Sequence, residues 1–383
     1  MTTALLTVFL AWLGLSTWVV VNRIAYERLV AGVRRGSKHH RLRWRAMAQL
    51  AADSSSDPEL ADALTRYVLE TDERRVVDKA LDPRGGWRGI QAVRILARAH
   101  HPQTLPALER MLSSGNEDVR AAAVTVLGDM EGEQATALLI TALRTGACPP
   151  RWASATLDRR TIRMEMLETL LDEATPEVRA VATQLLGRVD PSDAKADEIL
   201  LRLCGDPDAD VRAAACGALG QRGGTRAIER ITPMLRDHMW FVRVRAARAL
   251  GRLGDVGSAG AIAELLESPF WWVRQAAKDA LVDLGPSVKD QLVPWLDHRD
   301  AFARNSSAEI LQNLGVVDDL VAEVKESSDP ARAAAATVLL RKILAAGGDR
   351  VVDAVNEGSG SAIGEALADP AVDESPADKM QAA

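Results

Sequence analysis

The sequence predicts an all-α chain: a solenoid of about nine repeated helical hairpins preceded by one transmembrane helix. Three observations predict it. An arginine-led motif returns about every thirty-one residues, residues 4–21 carry no charged side chain, and aromatics make up 4% of a chain that is 47% apolar. A core without aromatics must be aliphatic and rich in alanine. Small residues suit helices that approach closely, and alanine has the highest intrinsic helix propensity.

The apolar run ALLTVFLAWLGLSTWVVV, Ala4 to Val21, comes first. At 1.5 Å rise per residue it spans about 27 Å, close to the roughly 30 Å of a hydrocarbon core. A cleaved signal peptide wants positive charge before the run and small residues after it. Here Met1, Thr2 and Thr3 carry no side-chain charge and the run ends in Val-Val-Val-Asn-Arg, so a retained anchor is expected over 1–22. Residues 23–45 hold eight basic side chains against Glu27. By the positive-inside rule this flank places the rest of the chain in the cytoplasm. With 39 arginines against 8 lysines and abundant alanine, the composition points to a GC-rich bacterial genome, hence to a single-pass protein of the plasma (inner) membrane.

The repeat occupies 46–346. Aligned on its arginine, it reads VRAAAVTVLGDM at Arg120, VRAVATQLLGRV at Arg179, VRAAACGALGQR at Arg212, VRVRAARALGRL at Arg243 and VRQAAKDALVDLG at Arg274. ARNSSAEILQNLG at Arg304 follows the same plan, with weaker members at Arg88, Arg151 and Arg332. Successive anchors lie 32, 31, 28, 33, 31, 31, 30 and 28 residues apart. Before each arginine runs a stretch with apolar residues at helical spacing, such as Ala227 to Asp237, followed by a short polar turn. Leu-Gly closes several second helices (Gly128, Gly220, Gly251, Gly285, Gly315), and a Gly there is expected as a left-handed C-cap.

The run Asp206 to Gly220, DPDADVRAAACGALG, closely resembles HEAT-like repeats of the phycocyanobilin-lyase type. The resemblance implies a right-handed α-solenoid in which each pair buries its apolar faces against its neighbours. It further implies that Arg120, Arg179, Arg212, Arg243 and Arg274 pair with acids of adjacent turns as a structural ladder. The family includes scaffolds, adaptors, chromophore-lyase subunits and DNA-repair relatives, so it specifies fold better than function.

Departures from the repeat are more informative about function. Two residues before the arginine stands an acid in Asp118, Glu177 and Asp210, where a helix N-cap is expected. In the next three units that position becomes Phe241, Trp272 and Phe302, joined by Trp240, Phe270 and Trp271. Every phenylalanine outside the apolar N-terminal run falls in these three turns. Successive turns share one edge of a solenoid, so the six rings are expected to form a strip about 20 Å long. Either the rings fold inward over their own helix ends, or they face a partner. Flanking charge and the loss of caps favour the partner.

No phosphate loop, His-Glu-x-x-His, Cys-x-x-Cys or serine elbow is present, so no catalytic residue, metal site or cofactor is expected. Cys148, Cys204 and Cys216 read as buried reduced thiols. In the irregular segment Cys148 to Arg163, the arginines at 159, 160 and 163 read as a solvated face or an acceptor of acidic groups. The tail 347–383 carries eight acids against Arg350 and Lys379 and reads as disordered. The net charge of −6 argues against a dedicated nucleic-acid binder, and a DNA-binding HEAT protein, which needs a basic concave face, is the third reading. The expected function is a non-enzymatic scaffold or regulatory subunit that binds a protein partner, a membrane enzyme or transporter complex, with self-association a further possibility. The alternative is an accessory lyase or chaperone subunit.

Overall fold

The computed structural model describes residues 65, 69–70, 73–82, 86–158, 160, 162–172 and 175–347. The apolar run 4–21, the basic flank 23–45, Arg159 and all but the first residue of the acidic tail lie outside these. Among the described residues no helix is long and apolar enough to cross a membrane, and no strand occurs. The chain divides into two compact units, residues 1–160 and 161–383. The division falls in the irregular segment where the repeat is least regular.

In the first unit, α1 (Gly86–Arg98), α2 (Thr104–Leu112), α3 (Glu117–Asp129), α4 (Glu133–Arg144) and α5 (Pro150–Leu157) alternate between first and second helices of hairpins. The second unit holds α6 (Met164–Leu171), α7 (Pro176–Leu186), α8 (Ala194–Leu203), α9 (Ala209–Arg222), α10 (Thr225–Ile231), α11 (Trp240–Leu253) and α12 (Ala259–Ala263). It continues with α13 (Trp271–Asp283), α14 (Lys289–Leu292), α15 (Ala301–Asn313), α16 (Val316–Glu326) and α17 (Pro330–Ala345). The short helices α10, α12 and α14 each tighten into a 3₁₀ turn, at Thr232–Arg236, Glu264–Glu267 and Val293–Asp297. Pro233 and Pro294 remove a backbone donor in two of these, which ends the α ladder.

Second helices stack on one another: α7 on α9, α9 on α11, α11 on α13. Their seam is built from small residues. A Cβ on Gly187 would lie 2.9 Å from Cα of Ala218, on Gly220 2.6 Å from Cβ of Ala249, and on Gly251 2.9 Å from Cα of Ala280. Each glycine lies eight residues after its arginine and meets the alanine six residues after the next one. This corrects the expectation that Leu-Gly marks a C-cap. Gly128, Gly220 and Gly251 lie inside their helices and serve close packing, whereas Gly315 (φ +75°, ψ 7°) has the left-handed backbone expected and Gly285 (φ +78°, ψ −172°) shares only its positive φ. At the corresponding place in α13 stands Val282, and the glycine seam ends there.

Candidate partner surface on the aromatic edge

Five of the turns before second helices share one wiring. The residue six before the arginine accepts twice: its side chain from the N–H two residues on, its carbonyl from the guanidinium. Ser114 Oγ takes the Asn116 N–H at 3.2 Å and Ser114 O takes Arg120 Nη1 at 2.8 Å. Asp206, Asp237, Ser268 and His298 repeat the arrangement with Arg212, Arg243, Arg274 and Arg304, at 3.0, 2.7, 2.7 and 2.7 Å from carbonyl to guanidinium. In these five units the arginine ties the second helix to its own turn, a role the spacing did not reveal.

Pairing with an acid of the next turn occurs for two of the five ladder arginines. Arg179 reaches Asp206 at 3.2 Å, and Arg212 grips Asp237 with two bonds of 2.8 and 3.0 Å. Burial opposes the charge on Asp237, but bonds from Arg212 and the Met239 N–H outweigh it and hold the carboxyl below its ordinary pKa. The equivalent positions facing Arg243 and Arg274 are Ser268 and His298, neither a carboxylate. There an aromatic ring takes the place of the acid. Arg243 lies over Phe270 at 5.6 Å and Arg274 over Phe302 at 4.9 Å, both within cation–π range. Arg120 bonds within its own turn.

Helix capping also differs from expectation. The cap positions are Asn116, Thr175 and Asp208, four residues before the arginine, of which Asn116 and Asp208 accept a backbone N–H and Thr175 does not; Asp118, Glu177 and Asp210 stand inside the first turn. There an acid still suits the positive end of the helix dipole. In the aromatic units Met239 and Phe270 occupy the cap and offer no side-chain bond, whereas Asp300 still accepts from the Ala303 N–H. Two of the three aromatic units therefore lack a side-chain cap, as the unit of Arg179 also does.

The rings are largely outside. Trp240, Phe270, Trp271, Trp272 and Phe302 keep between 37% (Trp240) and 64% (Phe302) of their surface exposed, and Phe241 is half-buried. They form two groups of touching rings, with Phe302 apart from both. Trp240 meets Phe241 edge-on at 5.7 Å and stacks with Phe270 at 6.4 Å, while Trp271 and Trp272 meet edge-on at 4.6 Å. Trp295, half-buried, packs on His298 at 4.9 Å. Trp87 is also exposed, but in the first unit.

Acids near this edge are already engaged: Glu267 with His298 at 2.8 Å, Asp297 with Lys342 at 2.5 Å and Glu264 with Arg236 at 2.8 Å. The guanidiniums of Arg243 and Arg274 have carbonyl and ring partners only among the described residues. An exposed apolar strip with uncompensated positive charge is suited to a partner carrying carboxylates.

Arg160 is half-buried, and its hydrogen bonds go to backbone carbonyls and a threonine hydroxyl. It bonds Thr136 Oγ1 at 2.9 Å and Met130 O at 2.6 Å, and also Leu127 O, closing the C-terminal end of α3. Arg222 does the same for α7, and the sequence reading missed it. All three cysteines are buried. Burial pushes the Cys148 thiol up to about 11, while Cys216, hydrogen-bonded to Cys204, is raised further still. Among the described residues no group of His, Cys, Asp or Glu is arranged to hold a metal ion.

A family model of HEAT repeats matches residues 89–156, 164–251, 197–282 and 231–312, together more than half of the chain. The chain belongs to the HEAT-repeat family. HEAT repeats typically mediate protein–protein interaction. Among solved structures, this HEAT protein is similar to an engineered protein at 20% identity and TM-score 0.32, over 85% of this chain and 93% of that one. It is similar to Kap121p at 13% identity and TM-score 0.43, over 88% of this chain and 46% of that one. Human deoxyhypusine hydroxylase in complex with glycerol matches at 17% identity and TM-score 0.28, over 66% of this chain and 99% of that one. Comparison with curated proteins gave no match.

Proposed function

We propose that this HEAT-repeat protein is a membrane-anchored, non-enzymatic scaffold or regulatory subunit. Residues 4–21 hold it in the plasma (inner) membrane, and its repeats grip a partner protein on the cytoplasmic side. That partner belongs to a membrane-embedded enzyme or transporter complex. One observation supports the reading: five large rings lie exposed in three consecutive turns, paired as Trp240 with Phe270 and Trp271 with Trp272, with Arg274 over Phe302, where earlier repeats of this chain carry polar and acidic residues. Burying such rings removes about 25 cal/mol per Å² of apolar surface from water, and aromatic clusters beside arginine are the commonest interface hot spots.

The test is capture from detergent extracts by the full-length chain and by its Trp240→Ala/Phe241→Ala/Trp271→Ala/Trp272→Ala variant. The wild type is expected to recover a discrete membrane partner, and the variant to lose most of it while keeping its helical circular dichroism. Equal recovery by both chains rules out the aromatic edge as the contact.

A further inference from the structure

The described chain ends beside the strip. Asn305 on α15, with its amide nitrogen oriented as donor, bonds both Ala346 O and Ala301 O at 3.0 Å. Ala301 directly precedes Phe302, so the exit of α17 is fastened to the start of α15. Lys342, one turn earlier on α17, pairs with Asp297 in the adjoining turn at 2.5 Å. A Cβ on Gly347, the last described residue, would sit 3.8 Å from Asn305 Cγ. From there a continuous series of contacts runs along the edge. Phe302 meets Arg274 at 4.9 Å, Arg274 belongs to the helix capped by Phe270, and Phe270 meets Arg243 at 5.6 Å and Trp240 at 6.4 Å.

Residues 348–383 leave from this point with eight acids between Asp349 and Asp378 against Arg350 and Lys379. Thirty-six residues can reach about 120 Å when extended. Three repeats at about 10 Å each need far less. Tethering also raises the effective concentration of a cis ligand to the millimolar range.

We propose that residues 348–383 dock on the arginine–aromatic strip of their own chain. Their carboxylates take the place that the acid ladder leaves open at Arg243 and Arg274, and they shield the rings beside them. The tail thereby competes with the partner, so the surface is released to a partner richer in carboxylates or present in excess. This inference rests on reading the strip as a docking surface.

Hydroxyl-radical labelling of the purified full-length protein tests it, with exposed Trp87 as internal reference. The comparison is with the full-length chain whose eight tail acids are changed to the matching amides. Labelling of Trp271, Trp272 and Phe302 is expected to rise several-fold in the neutralised chain, and protection in the wild type to persist on dilution. Equal labelling of both chains overturns the proposal. Protection that fades on dilution also overturns it, because a second copy is then the occupant. If labelling is equal while the alanine variant still loses its partner, the tail contact fails and the partner surface stands. If the tail protects the rings but the alanine variant keeps its partner, the converse holds.

Discussion

Gly220→Ala and Gly217→Ala, two substitutions one turn apart on α9, are expected to shift stability in opposite directions. A Cβ at Gly220 would lie 2.6 Å from Cβ and 2.8 Å from Cα of Ala249, so the obstruction is the neighbouring helix itself and not a mobile side chain. The helices must separate, and overpacking of this kind costs about 2–3 kcal/mol. At Gly217 an added Cβ meets nothing within 4 Å. There the alanine gains about 0.5–1 kcal/mol by restricting the unfolded backbone. Urea unfolding of the full-length chain followed by circular dichroism reads both. Two shifts of the same sign would refute the glycine seam between α9 and α11.

Arg222 is the second position of large expected effect. Its side chain is 2% exposed and pairs with Asp197. It donates to the carbonyls of Val189 (2.8 Å), Asp193 (2.9 Å), Asp190 (3.1 Å) and Pro191 (3.3 Å), which close the end of α7 and the loop after it. Arg222→Met keeps the bulk and removes the donors. The loss is expected at about 3 kcal/mol, since bonds from a charged donor contribute roughly 1.5–3 kcal/mol each and part of the loop can rehydrate. Arg222→Lys restores the charge without the planar fork and should recover less than half. Thermal unfolding measures the series, and a methionine variant as stable as wild type would show that water closes this helix end equally well.

The period, the two-helix unit and the all-helical class were legible because each arginine recurs at a nearly fixed interval within an apolar pattern. What spacing could not supply was the partner of each polar group. Leu-Gly has one spelling and two structural meanings: Gly285 turns the chain, whereas Gly220 admits a neighbouring helix, and only the alanine 29 residues downstream distinguishes them. The cap was read two residues late because an acid is favourable both at the cap and in the first turn. The serine, aspartate or histidine six before each arginine was overlooked, since three residue types there perform one hydrogen-bonding task. The aromatic positions stood out as departures from a pattern. Their engagement with Arg243 and Arg274 depended on what was missing at Ser268 and His298, and a closer alignment of that column could have shown it. Arg160 and Arg222 reach backwards by about one repeat, a distance at which sequence gives no local cue.

On the proposed function, the edge from Trp240 to Phe302 meets another protein. Site-specific photo-crosslinking in intact cells tests it most directly, with benzoylphenylalanine placed at Trp272 and, as a control, at exposed Glu229 on α10. One discrete crosslinked foreign polypeptide is expected from position 272 and none from position 229. No foreign adduct at 272, or the same adducts from both positions, would contradict it.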